Sequence, residues 1–312
     1  MNKFEPVKPR TFLVLHILID TEFNMFLLSF LNRHKFGNNF LILVIHEFLI
    51  IRECNLFVFD TFTNYLSIIF IPMKLSDSVN KLFLIPTPIA KRKENLVLPE
   101  HTVQTIQKLT CFIVEKAQTA QSFLQWINHP TALHDITFRV LNKKTPDHEV
   151  ISFLKLLDDQ SVGLMSEAGA PGVADPGSVF VKLAHEKSIP VVPLVGPSSI
   201  LLALMASGLN GQQFIFHGYL PREESRRTQK ILELERDTQK SGYTHIFMET
   251  PHRNSILFDL LLQKLRPSTK LCIAAEITSV DEFIQTNTIK KWKNSSKPDL
   301  EKKPALFLIN SK

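Results

Sequence analysis

From Lys81 onward, short apolar runs alternate with segments of helical spacing, and this alternation restricts the fold more than any other feature of the chain. Apolar runs of about four to eight residues predict strands, and they lie at 81–90 (a strand running into a loop), 111–115, 136–142, 161–166, 190–195, 214–220, 244–250, 271–278 and 305–310. Helical spacing predicts helices at 102–109, 116–127, 147–159, 176–188, 198–208, 221–237 and 251–265. Alternating strands and helices indicate mostly parallel sheets covered on both faces. The sequence therefore predicts two α/β domains, at 73–195 and 196–312, with a ligand cleft between them.

Residues 1–72 differ in composition from the rest of the chain. They contain no alanine, one glycine (Gly37) and 12 of the 24 phenylalanines. Charged residues interrupt their apolar runs before the roughly 18–20 residues that a membrane helix needs. Three interpretations remain open: a membrane-surface segment, an extra helical domain, or sequence upstream of a true start at Met73. The bias towards Phe, Ile, Leu and Asn favours the third.

Charge and cysteine content narrow the class of protein. A hydrophobic fraction of 44% excludes a wholly disordered chain, and a net charge of +6 mildly favours an acidic partner such as nucleic acid. The three cysteines, Cys54, Cys111 and Cys272, lie far apart without a CxxC pair, so they indicate neither a disulfide framework nor a zinc site. We expect a cytoplasmic protein without a metal centre.

The segment LMSEAGAPGVADPGS (164–178) is the strongest local signal. Its glycines follow a predicted buried strand, where they allow the backbone to approach a ligand, and its prolines stiffen the loop. Glu167 and Asp175 add acceptors that suit hydroxyls or an ammonium group rather than a phosphate. The chain has no GxxxxGK[ST] and no GxGxxG, so a phosphate-binding nucleotide loop is not predicted.

This segment resembles the SDAGTPGISDPG loop of the ribosomal small-subunit RNA methyltransferase I family, in the tetrapyrrole methylase superfamily. Further similar motifs follow in the same order: IPTPIA (85–90), VVPLVGPSSILLALMASGL (191–209), FHGYLPR (216–222), FMETPHR (247–253) and AAEIT (274–278). The resemblance implies two α/β domains, a homodimer and S-adenosylmethionine in the cleft between the domains. It also implies methylation of a ribose 2′-hydroxyl in small-subunit ribosomal RNA.

The resemblance also assigns roles to individual residues. It puts the following residues beside the cofactor: Pro86, Glu167, Ala168, Gly169, Val173, Ser198, Ser199, Met248 and Ala275. Helix capping by the two serines and a core position for Met248 are the structural alternatives.

Basic residues of two motifs, Arg222, His252 and Arg253, are the predicted RNA-binding residues. An Arg253–Glu249 ion pair is an equal alternative for that arginine, and a solvated helix face is expected for Arg226 and Arg227.

Glu115 is the predicted general base, because a ribose hydroxyl is a poor nucleophile that gains from proton removal. His217 and Lys143 are the alternatives. The chain departs from the family at 91–99 (KRKENLVLP in place of NLGD) and 115–118 (EKAQ in place of EDTR). Two other functions therefore stay open: a methylase of a tetrapyrrole or other small molecule, and a non-catalytic S-adenosylmethionine-binding protein.

Overall fold

The computed structural model contains two compact units, Met1–Ser78 and Val79–Lys312. It describes four strands in the first unit, at 41–45, 48–52, 56–59 and 68–70, and residues 80–90 and 97–312 of the second. No helix in these described ranges is long and apolar enough to cross a membrane.

The described part of the first unit is a four-stranded sheet. Strands β1 (Leu41–Ile45), β2 (Phe48–Arg52), β3 (Leu56–Phe59) and β4 (Ile68–Phe70) pair in chain order, and every pair is antiparallel. These strands do not fit the helical-domain alternative for residues 1–72. Met73 lies outside the described residues, so the domain boundary and the start at that residue stay predictions.

A parallel five-stranded sheet forms the first half of the second unit. Its strands are β5 (Leu82–Ile85), β6 (Cys111–Val114), β7 (Thr137–Val140), β8 (Val162–Met165) and β9 (Val191–Pro193), in the order β7-β6-β8-β5-β9. The central strands are apolar throughout, and β6 and β8 are buried at every position, as expected for a parallel sheet covered on both faces. Gly163 of β8 pairs with Phe83 on one side and Phe112 on the other.

Five helices connect these strands: α1 (Glu100–Ile106), α2 (Ala117–Trp126), α3 (Asp147–Phe153), α4 (Leu156–Asp159) and α5 (Gly177–Glu186). The predicted helix 147–159 is divided into α3 and α4. On one side of the sheet, residues of α3–α5 pack with Leu82, Ile113 and Leu164; on the other, residues of α1 and α2 pack with Ile85, Phe112 and Met165.

The second half contains a mixed sheet. Strands β10 (Phe214–Tyr219), β11 (Thr244–Met248), β12 (Lys270–Ala275), β13 (Phe283–Thr288) and β14 (Ala305–Asn310) take the order β10-β11-β14-β12-β13. Only β10 and β11 are parallel; β14 runs antiparallel to β11 and β12, and β13 antiparallel to β12. The α/β fold class is thus confirmed; the prediction of a mostly parallel sheet holds for the first sheet and is wrong for the second, which has one parallel pair and three antiparallel pairs.

The helices of this half are α6 (Ser199–Ser207), α7 (Glu224–Ser241), α8 (Asn254–Lys264) and α9 (Ile289–Lys293). Strand β13 and helix α9 are absent from the sequence prediction, because the strand FIQTNT alternates weakly and carries four polar residues. Helices α7 and α8 pack with Phe247, Ile273 and Phe307 on one face of the sheet, whereas α6 packs with Ile246, Cys272 and Leu308 on the other.

A histidine pair connects the edge of this sheet to α7. Nε2 of His217 and Nδ1 of His245 are 2.8 Å apart, on neighbouring strands β10 and β11. His245 is 1% exposed, and its Nε2 lies 2.9 Å from Oδ2 of Asp237, an electrostatic contact rather than a well-aligned hydrogen bond. The pKa of His217 is lowered to about 4, chiefly by burial and also by the charges of His245 and Lys230, while Glu233 and Asp237 oppose the shift.

This depressed pKa predicts a loss of stability in acid. Because the folded His217 protonates near pH 4 and the unfolded side chain near the ordinary histidine pKa of 6.5, the unfolded chain binds more protons between these values. The contribution of neutral His217 to the free energy of unfolding should therefore be fully present above pH 6.5. It should be lost as the pH falls towards 4, by up to about 1.4 kcal/mol per pH unit for one proton. Urea unfolding across this range, compared between the wild type and His217→Leu, measures the effect. An equally steep pH dependence in the variant would refute it.

Candidate functional site

A pocket of about 620 Å³ lies where strands β5, β6 and β8 end. Its lining comes from the segments that follow these three strands: 87–90, 114–116 and 165–167, together with one face of α2. Open α/β sheets bind ligands at the carboxyl ends of their strands. Two of the sequence-predicted site residues, Glu115 and Glu167, line this pocket.

Glu115 is a half-buried carboxyl group directly after β6. Burial raises its pKa above the ordinary value, and the negative charges of Asp175 and Glu167 raise it further. The positive charges of Lys116 and Lys143 oppose this rise. A carboxyl group with a raised pKa in a pocket is a candidate general base or acid, so the role of Glu115 stays a prediction.

Two residues of the segment that follows β6 hold Glu167 in place. Its Oε2 lies 2.8 Å from Nζ of Lys116 and accepts a 3.2 Å hydrogen bond from the hydroxyl of Thr119. Neither partner is among the sequence-predicted residues, although Lys116 lies within the EKAQ segment that departs from the family pattern. A basic residue directly after Glu115 was therefore the sequence signal that could have identified Lys116 as a site residue.

The side chain of Asp175 fixes the conformation of the glycine-rich loop. Its Oδ1 accepts hydrogen bonds of 2.8 Å from the backbone N–H groups of both Gly172 and Gly177. Gly172 has a φ of +80°, and the next residues, up to Ala174 with a φ of +61°, complete the turn. Asp175 thus shapes the loop, and its Oδ1 is occupied by the backbone rather than open to a ligand.

Three loops meet beside this pocket. Thr87 and Gly169 exchange backbone hydrogen bonds of 2.9 and 3.0 Å, which join the loop after β5 to the loop after β8. A side chain at Gly196 would overlap with the ring of Pro86, so the loop after β9 packs against the loop after β5 without a side chain between them. The structure thereby brings together Pro86, Gly169 and the segment that leads to Ser198.

The remaining predicted cofactor residues are more dispersed. Ser198 precedes α6 with extended backbone angles, but its side chain makes no capping hydrogen bond, which removes that alternative for its hydroxyl. Val173 is 49% exposed. Met248 ends β11 half-buried, against the cluster that α6 joins, and Ala275 is 1% exposed within the core. The whole residue Ala275, backbone included, is therefore almost completely buried.

The predicted RNA-binding residues surround a buried ion cluster. The carboxylate of Glu249 is fully buried and pairs with Arg253, while its Oε2 lies 3.9 Å from Nη1 of Arg227. Arg227 also donates a 3.2 Å hydrogen bond to the carbonyl oxygen of Arg222. The cluster ties the loop after β10 to the loop after β11 and leaves the side chains of Arg222 and His252 exposed.

One expectation about these arginines is wrong. The side chain of Arg227 is 8% exposed, so it does not lie on a solvated helix face. It occupies a buried position of α7, where the charge of its guanidinium balances Glu249. The expectation holds for Arg226, which is 77% exposed and pairs with Glu223. Among the described residues, no group of three or more potential ligands could hold a metal ion.

Comparison with known proteins identifies the family. The sequence profile described as Tetrapyrrole (Corrin/Porphyrin) Methylases matches residues 98–292. The chain belongs to the tetrapyrrole methylase family, which confirms the resemblance carried by the SEAGAPGVADPG segment. It is accordingly a methyltransferase of the class that uses S-adenosylmethionine.

Sequence relatives share one name. The chain is 31% identical over 207 residues to "Ribosomal RNA small subunit methyltransferase I" of Vibrio cholerae, covering 65% of this chain and 67% of the relative. The proteins of the same name from Halalkalibacterium halodurans and Buchnera aphidicola subsp. Schizaphis graminum are 29% and 28% identical, covering 69% and 75% of this chain and 70% and 80% of the relatives.

Solved structures agree on the fold. The methyltransferase CobJ superposes with a TM-score of 0.51 at 11% identity, covering 74% of this chain and 94% of the other. Diphthine synthase superposes with a TM-score of 0.52 at 12% identity, covering 74% and 90%. At such low identity, the likeness concerns the fold alone.

Asp175 offers a direct test of the loop geometry. Asp175→Ala removes the acceptor of two backbone hydrogen bonds and should lower the free energy of unfolding by about 1–3 kcal/mol. Asp175→Asn keeps an oxygen acceptor of the same size and should cost clearly less. Urea unfolding of both variants at neutral pH measures the difference. Equal losses in the two variants would show that the negative charge, and not the hydrogen bonds, stabilises the loop.

Proposed function

We propose that the chain transfers a methyl group from S-adenosylmethionine to a ribose 2′-hydroxyl of small-subunit ribosomal RNA. The observation that carries the proposal is Glu115: a half-buried carboxyl group of raised pKa in a pocket at the strand ends, in a chain whose relatives are named ribosomal RNA small-subunit methyltransferases. The exposed Arg222 and His252 beside the buried Glu249 cluster add groups that suit RNA phosphates.

The residues around the pocket fit the cofactor. Gly169 has a φ of +75° and no side chain, and a Cβ at this position would point towards the carbonyl oxygen of Pro197, 3.7 Å away. This leaves a bare backbone surface between two loops, with the hydroxyl of Ser198 free of the helix cap. The carboxylate at position 167 complements a sulfonium or an ammonium group.

Within this proposal, the first three loops hold the cofactor through Pro86, the segment 167–169, Val173, Ser198 and Ser199, and the second sheet holds it through Met248 and Ala275. S-adenosylmethionine, when bound, supplies an activated methyl group, so positioning is the main task left to the protein. Glu115 accepts the proton of the ribose hydroxyl. Lys116 and Lys143 oppose the rise of its pKa and so favour the ionised form that a base requires.

We further infer a homodimer. Helix α6 has the sequence SILLALMAS and is apolar around its whole circumference, although only Ala203, Leu204 and Ser207 are buried. Leu201 and Met205 are 52% and 79% exposed. A helix that is apolar all round normally packs on every side, and a second copy of the chain would cover the exposed face. A cytoplasmic location fits the buried free thiols of Cys111 and Cys272.

Glu115→Gln tests the proposed base, because the amide keeps the size of the side chain but cannot accept the proton. We expect the rate of methyl transfer to fall by about 10²- to 10⁴-fold, with the dissociation constant for S-adenosylmethionine nearly unchanged in calorimetry. The assay incubates isolated small ribosomal subunits lacking the modification with radiolabelled S-adenosylmethionine, and maps the product by resistance to alkaline cleavage. In the wild type, kcat/KM should fall in acid as Glu115 protonates, and Lys116→Met should move this fall to higher pH.

Other results would point elsewhere. Label in the base rather than the ribose, or an unchanged rate in Glu115→Gln, would exclude the proposed chemistry. Methylation of a porphyrinogen but not of the ribosomal subunit would support the small-molecule alternative. If the wild type does not bind S-adenosylmethionine, S-adenosylmethionine cannot be its methyl donor.

Met205→Glu tests the dimer. A charge on the exposed face of α6 should convert the dimer to a monomer, because an unpaired carboxylate in an apolar interface is costly to desolvate. Light scattering coupled to gel filtration measures the mass, and Met205→Leu, which keeps the face apolar, is the matched control. A wild-type protein that runs as a monomer, or a Met205→Glu variant that still dimerises, would contradict the assignment.

A further inference from the structure

The turn that follows β7 lies beside Glu115. Strands β6 and β7 are parallel neighbours, with Val114 opposite Val140. The pairing continues one residue beyond the strands, because the backbone N–H of Leu141 donates a 2.8 Å hydrogen bond to the carbonyl oxygen of Val114. Glu115 directly follows Val114, and the turn 142–145 directly follows Leu141. The two segments therefore leave the same edge of the sheet side by side.

Polar groups of this turn fix its own backbone. The side-chain oxygen of Asn142 accepts a 2.8 Å hydrogen bond from the N–H of Lys144, and the hydroxyl of Thr145 accepts one of 2.9 Å from the N–H of Asn142. The N–H of Thr145 donates to the carbonyl oxygen of Asn142 at 3.0 Å. These bonds use no lysine side chain, and both Lys143 and Lys144 are exposed. The turn thus holds the two lysines by their backbone and leaves their ammonium groups available.

Two positive charges act on Glu115, those of Lys116 and Lys143. Lys116 is already paired with Glu167 at 2.8 Å. Among the residues that the structure describes, the ammonium group of Lys143 has no ion pair and no hydrogen bond, and the acidic first turn of α3 (147–149) leaves it unpaired. Lys143 is not part of the pocket lining. An unpaired positive charge therefore stands beside the pocket, close enough to act on Glu115.

The pocket itself does not suit a phosphate. The carboxylates of Glu167 and Asp175 act on Glu115 as negative charges, and Lys116 is paired with only one of them. A phosphodiester is also negative, so these groups repel it. In a ribonucleotide, however, the 2′-hydroxyl and the 3′-phosphate are attached to neighbouring carbons of the ring. A nucleotide whose 2′-hydroxyl reaches Glu115 therefore brings a phosphate close to that residue, where an unpaired cation offsets the repulsion.

We propose that Lys143 binds the 3′-phosphate of the target nucleotide and thereby positions the 2′-hydroxyl at Glu115. This inference rests on the proposed RNA methyltransferase function and adds a residue that holds the RNA backbone at the first sheet. Phosphate contacts fix the register of a nucleic acid without reading its bases, so Lys143 sets the position of the nucleotide rather than its sequence. The contact is separate from Arg222 and His252, which follow strands of the second sheet.

Lys143→Met removes the charge and keeps a side chain of similar length. The assay uses isolated small ribosomal subunits that lack the modification, at a pH above the acid fall of kcat/KM. We expect kcat/KM to drop by about tenfold, the size of one charge-assisted hydrogen bond. The slope of log kcat/KM against log salt concentration should become shallower by about 0.7, the value for one phosphate contact on a single strand. The acid fall should also move to higher pH, because Glu115 loses one of its two cations.

Two further variants serve as controls. Lys144→Met removes the same charge from the same turn, at a residue that is not among the charges acting on Glu115. It should keep kcat/KM within about twofold, as for an exposed surface charge, and leave the acid fall in place. Lys143→Arg should retain most of the rate, since a guanidinium binds phosphate but cannot accept a proton. Thermal unfolding of all three variants checks that these exposed substitutions leave the fold intact.

The outcomes distinguish this proposal from the function on which it rests. If the wild type methylates the ribosomal subunit and Lys143→Met loses no more kcat/KM than Lys144→Met, the phosphate contact is refuted while the function stands. A fall in S-adenosylmethionine affinity in Lys143→Met, measured by calorimetry, would assign the lysine to the carboxylate of the cofactor and overturn the proposal. Equal loss of rate in Lys143→Arg and Lys143→Met would assign the lysine to proton transfer and also overturn it. If the wild type methylates no ribosomal RNA, the function fails, and the phosphate contact fails with it.

Discussion

The site depends on the pair of backbone hydrogen bonds between Thr87 and Gly169, which fasten two loops from neighbouring parallel strands. Strands β5 and β8 pair in parallel, and this link continues their pairing into the two loops. The link requires a residue of positive φ at 169, which glycine adopts without steric cost. The two loops that it joins carry Pro86, which packs against Gly196, and Glu167, which lines the pocket.

The electrostatics of the pocket combine opposing effects within a small space. Burial and two neighbouring carboxylates raise the pKa of Glu115, whereas two lysines lower it. Lys116 takes part twice, since it also pairs with Glu167. The departure from the family pattern after β6 thus places a positive charge beside two carboxylates. In the second half, the buried carboxylate of Glu249 pairs with Arg227 and Arg253. This cluster fixes two loops that present basic side chains.

Much of the fold could be predicted from the sequence, because strand and helix periodicities are local. Strands β5, β6 and β8 and helices α2 and α5 lie where their patterns indicate. The missed strand β13 has a weak pattern, and it forms because β12 offers it a complete antiparallel edge. The mixed order of the second sheet was also beyond prediction, since strand direction depends on which edges remain open after the first strands pair.

By itself, the sequence determined the fold class, the family and the positions of the glycine-rich loop and of Glu115. This was possible because apolar periodicity and glycine-rich motifs are properties of consecutive residues. Only the tertiary structure decided what each charged and aromatic side chain meets. In the folded chain, Arg227 is buried and the carboxylate of Asp175 accepts hydrogen bonds from the backbone of its own loop. Lys116 pairs with Glu167, and Trp126 lines the pocket. These outcomes depend on contacts between residues distant in the chain, and burial, which sets the cost of charge, exists only once those contacts form.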